Sequence, residues 1–425
     1  MLKQLILENW KSFRYAELPL DPLTVLIGTN ASGKSNVVEA LEFLQRIARG
    51  ENIEAALAGD KILSSIRGGV EWAALKPEKE FTLKALVAGE HEKIDYLYVI
   101  KIQTIPETRV IEEYIEPQIL IESFLNNYLN RINTKSWYSP TKSGLKDLNS
   151  PIDIDEMVAF KSYLDRNNIS TEIYIGTEEF QHLYKEYITL IQKVKEHVIS
   201  RLENILIFNP LPSKMRDYSR LSDTFESDAS NIAGVLATLP DERQREVELT
   251  LSTYVKDLPE GDIKRVWAEK VGRFKTDAML YCEEQWKPGQ DPTTIDARTM
   301  SDGTLRFLAI ITALLTRPEG SQLVIEEIDN GLHPSRAELL VRILREIGSK
   351  RKIDILLTTH NPALLDALGP EIVPFVVVAH RDKETGESKL TLLEDIDNFS
   401  KLFASYSLGD MTTKGAIERS LSRNE

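Results

Sequence analysis

The eight residues Gly28-Thr29-Asn30-Ala31-Ser32-Gly33-Lys34-Ser35 leave this chain the fewest choices of fold. They match G-x-x-x-x-G-K-S/T, a loop whose glycines let the backbone wrap around phosphates. The apolar run Leu23-Thr24-Val25-Leu26-Ile27 leads into it and reads as a buried strand. A helical pattern leaves it, with Val37, Leu41, Leu44 and Ala48 on one face and Gly50 as the stop. Strand, glycine loop and helix is the context this motif needs. Loop amides and the helix N-terminus supply positive potential. Lys34 adds a point charge, and the Ser35 hydroxyl can ligate Mg²⁺.

Composition narrows the class. The chain has 425 residues, enough for two or three subdomains, with 42% hydrophobic and 28% charged residues. A net charge of −14 excludes a generally basic nucleic-acid-binding surface, while leaving room for a local basic patch. The alternating start, Met1 to Trp10, reads as a strand and not as a signal peptide. Without a run of about 18 apolar residues, no transmembrane helix is expected. The single Cys282 rules out an intrachain disulfide and a Cys-based zinc clasp. The expected compartment is the cytoplasm.

Along the chain, residues 2–8 read as a strand, and 52–65 as a second helical stretch ending near Arg67-Gly68-Gly69. That glycine pair is either a phosphate-side loop or an ordinary turn. Runs at 80–88 and 94–103 read as an antiparallel pair. The chain turns polar after about 105, without any nucleotide motif. Phe180, Tyr184, Tyr187, Ile191, Val194, Val198, Leu202 and Ile205 then recur at helical spacing. This amphipathic helix either packs on the insert's own core or meets a partner. Ser230-Asn231-Ile232-Ala233 can begin a short helix, and 254–274 is weakly patterned.

Chemistry returns in the C-terminal part. Met300-Ser301-Asp302-Gly303 precedes a nearly all-apolar helix, Leu305 to Thr316. Leu323 to Glu327 reads as a buried strand ending in two carboxylates. A helix starts at Pro334 and stops at Gly348. Ile353 to Leu357 is a second buried strand, running into Thr358-Thr359-His360-Asn361-Pro362. Residues 373–379 and 390–393 complete the strands. Parallel α/β sheets bind ligands at the carboxyl ends of their strands. Loop, acidic strand end and His-bearing strand end therefore form one expected site. There, one carboxylate can hold Mg²⁺ and its neighbour can orient or deprotonate water.

The order of Gly28–Ser35, Met300–Gly303, Leu323–Glu327 and His360 resembles the ABC-type ATPases of the RecF, SMC and OLD group. So do the opening Leu7-Glu8-Asn9-Trp10-Lys11-Ser12-Phe13 and the run Asp329-Asn330-Gly331-Leu332-His333-Pro334. The nearest likeness is to predicted ATPases of anti-phage systems, such as the ATPase subunits of Septu and PARIS. The resemblance covers roughly residues 1–100 and 205–400. It implies an α/β fold: an ABC/RecF-like P-loop ATPase head with a mixed sheet and a largely helical insert. The implied divisions are 1–104 and 205–400 for the two halves of the head, 105–204 for the insert, and 401–425 for a tail.

By position, the resemblance implies that Gly28 to Ser35 and Asn36 bind ATP and that Ser35 and Glu326 hold Mg²⁺. It makes Glu327 the catalytic base, with Lys34 and His360 acting on the γ-phosphate. Ser301 and Gly303 become the signature that meets the nucleotide of a second copy. Glu326 stands where Asp is usual, Ile328 where Pro is common, and Ser-Asp-Gly replaces Ser-Gly-Gly. These departures bear on hydrolysis rate more than on binding. Asp329 is either a turn cap or a contact across the dimer, and His333 an N-cap. The implied partners are a second copy and a separate effector, nuclease or toxin, in anti-phage defence. A DNA-repair or chromosome-maintenance ATPase acting directly on nucleic acid is the alternative.

Overall fold

The computed structural model describes all residues except 62, 91–93, 120–177, 288, 332 and 422–425. In chain order the first elements are β1 (Leu2–Trp10), β2 (Phe13–Pro19), β3 (Leu23–Ile27), α1 (Lys34–Ala48) and α2 (Ile53–Ala58). Next come β4 (Glu80–Ala88), β5 (Ile94–Gln103), β6 (Arg109–Ile119), α3 (Glu178–Glu203), β7 (Ile205–Phe208) and β8 (Ser219–Arg220). Then follow α4 (Ile232–Thr238), α5 (Asp241–Lys256), β9 (Ile263–Val271), β10 (Asp277–Glu284), β11 (Thr293–Asp296) and α6 (Asp302–Thr316). The chain continues through β12 (Gln322–Ile325), α7 (Ala337–Arg351), β13 (Asp354–Thr358), α8 (Pro362–Leu368), β14 (Val376–Arg381) and β15 (Ser388–Leu392). Short helices α9 (Phe399–Ser405), α10 (Leu408–Thr413) and α11 (Ala416–Leu421) follow. The residues divide into two units, Met1–Pro19 with Glu39–Ile205, and Leu20–Val38 with Leu206–Glu425.

The first unit is built on an antiparallel sheet of order β2-β1-β4-β5-β6. Its core includes an aromatic cluster. The Trp10 and Phe81 rings meet edge to face at 4.9 Å, and Phe43 from α1 lies 6.0 Å from Trp10 and 5.9 Å from Phe81. Beside it, the buried carboxylate of Glu39 accepts from both Lys11 and Arg67. Burial lowers the Lys11 pKa while Glu39 raises it. The Arg67-Gly68-Gly69 stretch is a turn with both glycines at positive φ. Within this unit its Arg67 is engaged by Glu39, and its Arg67 carbonyl by Lys11.

Several elements differ from the sequence reading. The second helix ends at Ala58, not near 65, because Gly59 takes φ 74° and Asp60 turns the chain by accepting from the Leu63 amide at 2.8 Å. The sheet runs past residue 105: β6 is its fifth strand, antiparallel to β5. Residues 120–177, the middle of the expected insert, lie outside the described residues. So do the side chains of Phe180, Tyr184 and Tyr187. Farther along α3, Val194, Val198 and Leu202 are buried, and the His197 ring donates to the Ala88 carbonyl at 2.8 Å. That end of the stripe packs on the unit's own sheet.

The second unit holds the six-stranded sheet β15-β14-β3-β13-β12-β7. Strands β14, β3, β13 and β12 run parallel, which carries all their carboxyl ends to one edge. β12 and β13 are buried along their whole length, as strands covered on both faces must be. Helix α6 is apolar nearly all round and buried from Thr304 to Leu315. A smaller sheet pairs β10 with β8, β9 and β11. Its β9 lies in the weakly patterned stretch: the charged pairs Lys264-Arg265 and Glu269-Lys270 of Ile263–Val271 put charge on both faces and blur the alternation. Helix α7 passes Gly348 and ends at Arg351, where Lys352 takes the left-handed cap. Gly348 is small because Ile355 Cδ1 would lie 3.1 Å from its Cβ. Residues 401–421 carry most of α9 and all of α10 and α11, with Leu408, Met411, Ala416 and Ile417 buried in this unit's core. Among the described residues, no helix is long and apolar enough to cross a membrane.

Candidate active site

Apart from the Arg67-Gly68-Gly69 alternative, all the site positions read from the sequence fall in the second unit. The loop leaves β3 at Gly28 with φ 142°, passes Ala31 at φ 62° and Gly33 at φ 116°, and enters α1 at Lys34. A side chain at Gly28 would collide with the Ala379 carbonyl of β14, the neighbouring parallel strand. From the end of the same strand, Arg381 Nε donates to the Ala31 carbonyl at 2.9 Å. β14 thus braces the loop at its entry and at its left-handed residue. Lys34 Nζ donates to the Gly28 carbonyl at 2.7 Å and the Thr29 carbonyl at 2.9 Å.

β12 stops at Ile325, two residues before the sequence reading ends it. Glu326 and Glu327 follow at its carboxyl edge, and Glu327 has φ 46°, a conformation that costs a non-glycine residue energy. The next strand fixes it there. The Glu327 amide donates to Thr358 Oγ1 at 2.8 Å, and the Ile328 amide to the Thr358 carbonyl at 3.1 Å. Ile328, where the resembled group commonly has Pro, is a buried apolar plug. Thr359 Oγ1 donates to Asp329 Oδ1 at 2.5 Å, so Asp329 is tied to the β13 end rather than capping the following helix. His333 is the cap there, its Nδ1 accepting from the Ser335 amide. An open cleft of about 600 Å³ lies between these pieces, lined by Thr29, Asn30, Glu327, Asp329, Asn330 and His360.

Charges in and beside this cleft act on one another. Burial lowers the Lys34 pKa, and Glu327 and Glu326 raise it. Burial and then Lys34 hold His360 below the usual imidazole value, against the pull of Asp329 and Glu327. Both causes favour the neutral His360 ring over the imidazolium. Its proton NMR titration midpoint is expected below about 6.5. Lys34→Ala removes one of the two lowering causes, so the midpoint should rise in that variant. A midpoint unmoved by the substitution would place Lys34 and His360 too far apart to share a site.

Ser301 and Gly303 do not line this cleft. Ser301 caps α6, its Oγ accepting from the Thr304 amide at 3.1 Å. The loop before it is gathered by Arg216, whose Nη1 donates to the carbonyls of Ala297, Arg298 and Met300 at 2.7–3.1 Å. Arg216 Nη2 pairs with Asp302, which gives the acidic residue of Ser-Asp-Gly a structural task. Gly303 meets a steric demand: its Cβ would lie 2.9 Å from the Gly331 carbonyl oxygen and 3.1 Å from Arg336 Nη1.

The sequence reading gave no role to Arg216, Arg306, Thr358 or Arg381. Only Arg306 announces itself, as a lone charge in an apolar helix. The oxygen donors Ser35 and Glu326 are of the kind Mg²⁺ takes alongside phosphates and water. Among the described residues, no three His, Cys, Asp or Glu side chains group as a metal site by themselves.

Residues 23–366 match the family described as "AAA domain, putative AbiEii toxin, Type IV TA system". The chain is 28% identical over 145 residues to the DNA replication and repair protein RecF of Rickettsia canadensis and to that of Rickettsia felis. Each match covers 34% of this chain and 34% of the relative, so the chain spans about a third of the length of these curated relatives. Among solved structures, it is similar to the SMC head domain from Thermotoga maritima, at 15% identity and TM-score 0.43, covering 92% of this chain and 98% of that one. It is also similar to the Smc head domain with an extended coiled coil bound to the C-terminal domain of ScpA, derived from Pyrococcus furiosus. That likeness has 13% identity and TM-score 0.47, over 95% of this chain and 99% of the other. With four-fifths of its length inside the family match and a phosphate loop facing two acidic residues across one sheet edge, the chain belongs to this family of AAA-domain P-loop ATPases.

Proposed function

We propose that the protein is a regulatory ATPase in which two copies close around ATP and the cycle controls a separate effector, a nuclease or toxin, in anti-phage defence. The observation that carries the ATPase part is geometric: the glycine loop after β3 and the carboxyl ends of the parallel strands β12 and β13 meet at one sheet edge, where Thr29, Asn30, Glu327 and His360 line one cleft. Amides of residues 28–35 and Lys34 bind the phosphates, and Asn36 extends the first helical turn beside them. Glu327 takes the proton of the attacking water. His360 donates a hydrogen bond to the terminal phosphate. Ser35 and Glu326 would hold Mg²⁺, and the bound ion would supply charge neutralisation at the phosphate oxygens.

The family description, which names a toxin–antitoxin system, supports a second component outside this chain. The RecF likeness favours a second reading, an ATPase acting directly on DNA, against which the net charge of −14 weighs. Sharing of sites between copies is supported by the capped, solvent-facing start of α6 lying off the cleft of its own chain. Two variants test it. In a mixture of Lys34→Ala and Ser301→Arg chains, a mixed dimer collects both defects in one site and none in the other. Hydrolysis should recover toward about one working site per mixed dimer. Activity no higher than in either variant alone, with mixed dimers formed, would count against sharing. Duplex DNA added to the wild-type assay separates the two readings, since turnover rising severalfold with DNA favours the RecF-like one.

A further inference from the structure

Arg306 sits in the second turn of α6, in a run otherwise apolar, with 5% of its surface exposed. Burying a guanidinium costs heavily unless its donors are used, so its partners reveal its task. Nη1 donates to the Asn330 carbonyl at 2.6 Å and Nη2 to Asn209 Oδ1 at 2.8 Å. Asn330 closes the turn that opens at Glu327: its amide donates to the Glu327 carbonyl at 2.8 Å. Thr358 holds the opening end of that turn, through the Glu327 amide. Arg306 holds the closing end. Three residues earlier on the same helix, Gly303 packs against the carbonyl of Gly331, the residue after Asn330.

We infer that Arg306 is the positioning residue of the Glu327–Asn330 turn. It keeps the left-handed Glu327 aimed into the cleft, and it makes this turn and the start of α6 one mechanical piece. The inference rests on the reading of Glu327 as the base. Asn209 holds the other half of the guanidinium fork, so the fork cannot swing away from Asn330 without losing a second bond. Lys keeps the charge but has no planar fork to span both partners. A buried arginine that only stabilised the fold would act on every property in proportion to the folded fraction. A positioning residue acts on turnover through one carboxylate.

The experiment measures turnover, binding of a fluorescent ATP analogue and thermal unfolding in Arg306→Lys and Arg306→Met, each made in the wild type and in Glu327→Gln. We expect turnover to fall roughly tenfold in Arg306→Lys and roughly a hundredfold in Arg306→Met, with analogue binding within about threefold. In the Glu327→Gln background, either Arg306 variant should lower the residual turnover by less than about threefold, because the group it positions is already disabled. If Arg306→Met does not fold, Arg306→Lys in the two backgrounds carries the same comparison. Equal fold-losses in both backgrounds, or binding and turnover falling together, would overturn the inference. So would normal turnover in the Arg306 variants beside a slow Glu327→Gln. A Glu327→Gln chain as fast as wild type would instead sink the reading of the base, and the inference with it.

Discussion

Lys34→Ala is expected to weaken ATP binding by at least about a hundredfold, roughly 2.7 kcal/mol, and to abolish turnover. The loss follows from charge balance. Two carboxylates, Glu326 and Glu327, lie close enough to Lys34 to raise its pKa against the lowering effect of burial. A triphosphate entering that cleft meets them directly. Lys34 is the cation set between the two, and its Nζ rests on the carbonyls of Gly28 and Thr29, over the loop that must receive the phosphates. Alanine removes the ammonium and leaves the carboxylates facing the anion. Titration with a fluorescent ATP analogue in the presence of Mg²⁺ measures the loss, and thermal unfolding without nucleotide checks that the fold survives. Lys34→Arg, which keeps the charge on a bulkier head, should recover part of the binding and little of the turnover. Under the proposed defence role, cells carrying the alanine variant together with the effector should lose protection in a phage plating assay. Wild-type affinity in Lys34→Ala would mean that this loop does not hold ATP.

Glu327→Gln is expected to separate binding from chemistry. Glutamine keeps the size and the hydrogen-bonding reach of the side chain but cannot take a proton from water. Turnover should fall by roughly 10²- to 10⁴-fold, the usual worth of a positioned general base. ATP affinity should stay within a few fold of wild type, because Lys34 and the loop amides are untouched. Under the shared-site reading, the ATP-bound dimer then persists, and size-exclusion chromatography should show a dimer with ATP and a monomer without it. The substitution is conservative for the backbone as well. Residue 327 is held at φ 46° by its own amide, which donates to Thr358, and by its carbonyl, which accepts from Asn330, and neither bond uses the side chain. Unchanged turnover would move the base elsewhere, with Glu326 or Asp329 next in line.

How much of this was legible beforehand depends on how local the cause is. The phosphate loop, the buried strand before it and the helix after it are fixed by residues within about twenty positions of one another, and their patterns are read directly. The antiparallel pair at 80–88 and 94–103 was equally plain, since one-sided burial writes its alternation into the sequence. The parallel strands β12 and β13 appear as short apolar runs with polar ends, which placed Glu326, Glu327 and His360 at one sheet edge. The helix stop near 65 and the strand hidden in 254–274 were lost for the opposite reason. A positive-φ Gly59 and a strand with adjacent charges on both faces say little to a periodicity argument.

The sequence by itself determined which chemistry is present: a loop for phosphates, two acids, a histidine and a capped helix start, each carried by its own strand or helix. Only the tertiary structure decided how those groups are held. Arg381 reaches Ala31 across 350 residues, Arg216 reaches Met300 across 84, and Arg306 reaches Asn209 across 97. Glu327 adopts its unusual backbone because Thr358, 31 residues later, offers its amide a hydroxyl. Gly303 needs to be glycine because Gly331 and Arg336 crowd it. Such pairings leave no period in the chain. They follow from strand order in a parallel sheet, where neighbours in space are distant in sequence, and from the cost of burying a charge or a backbone group without a partner.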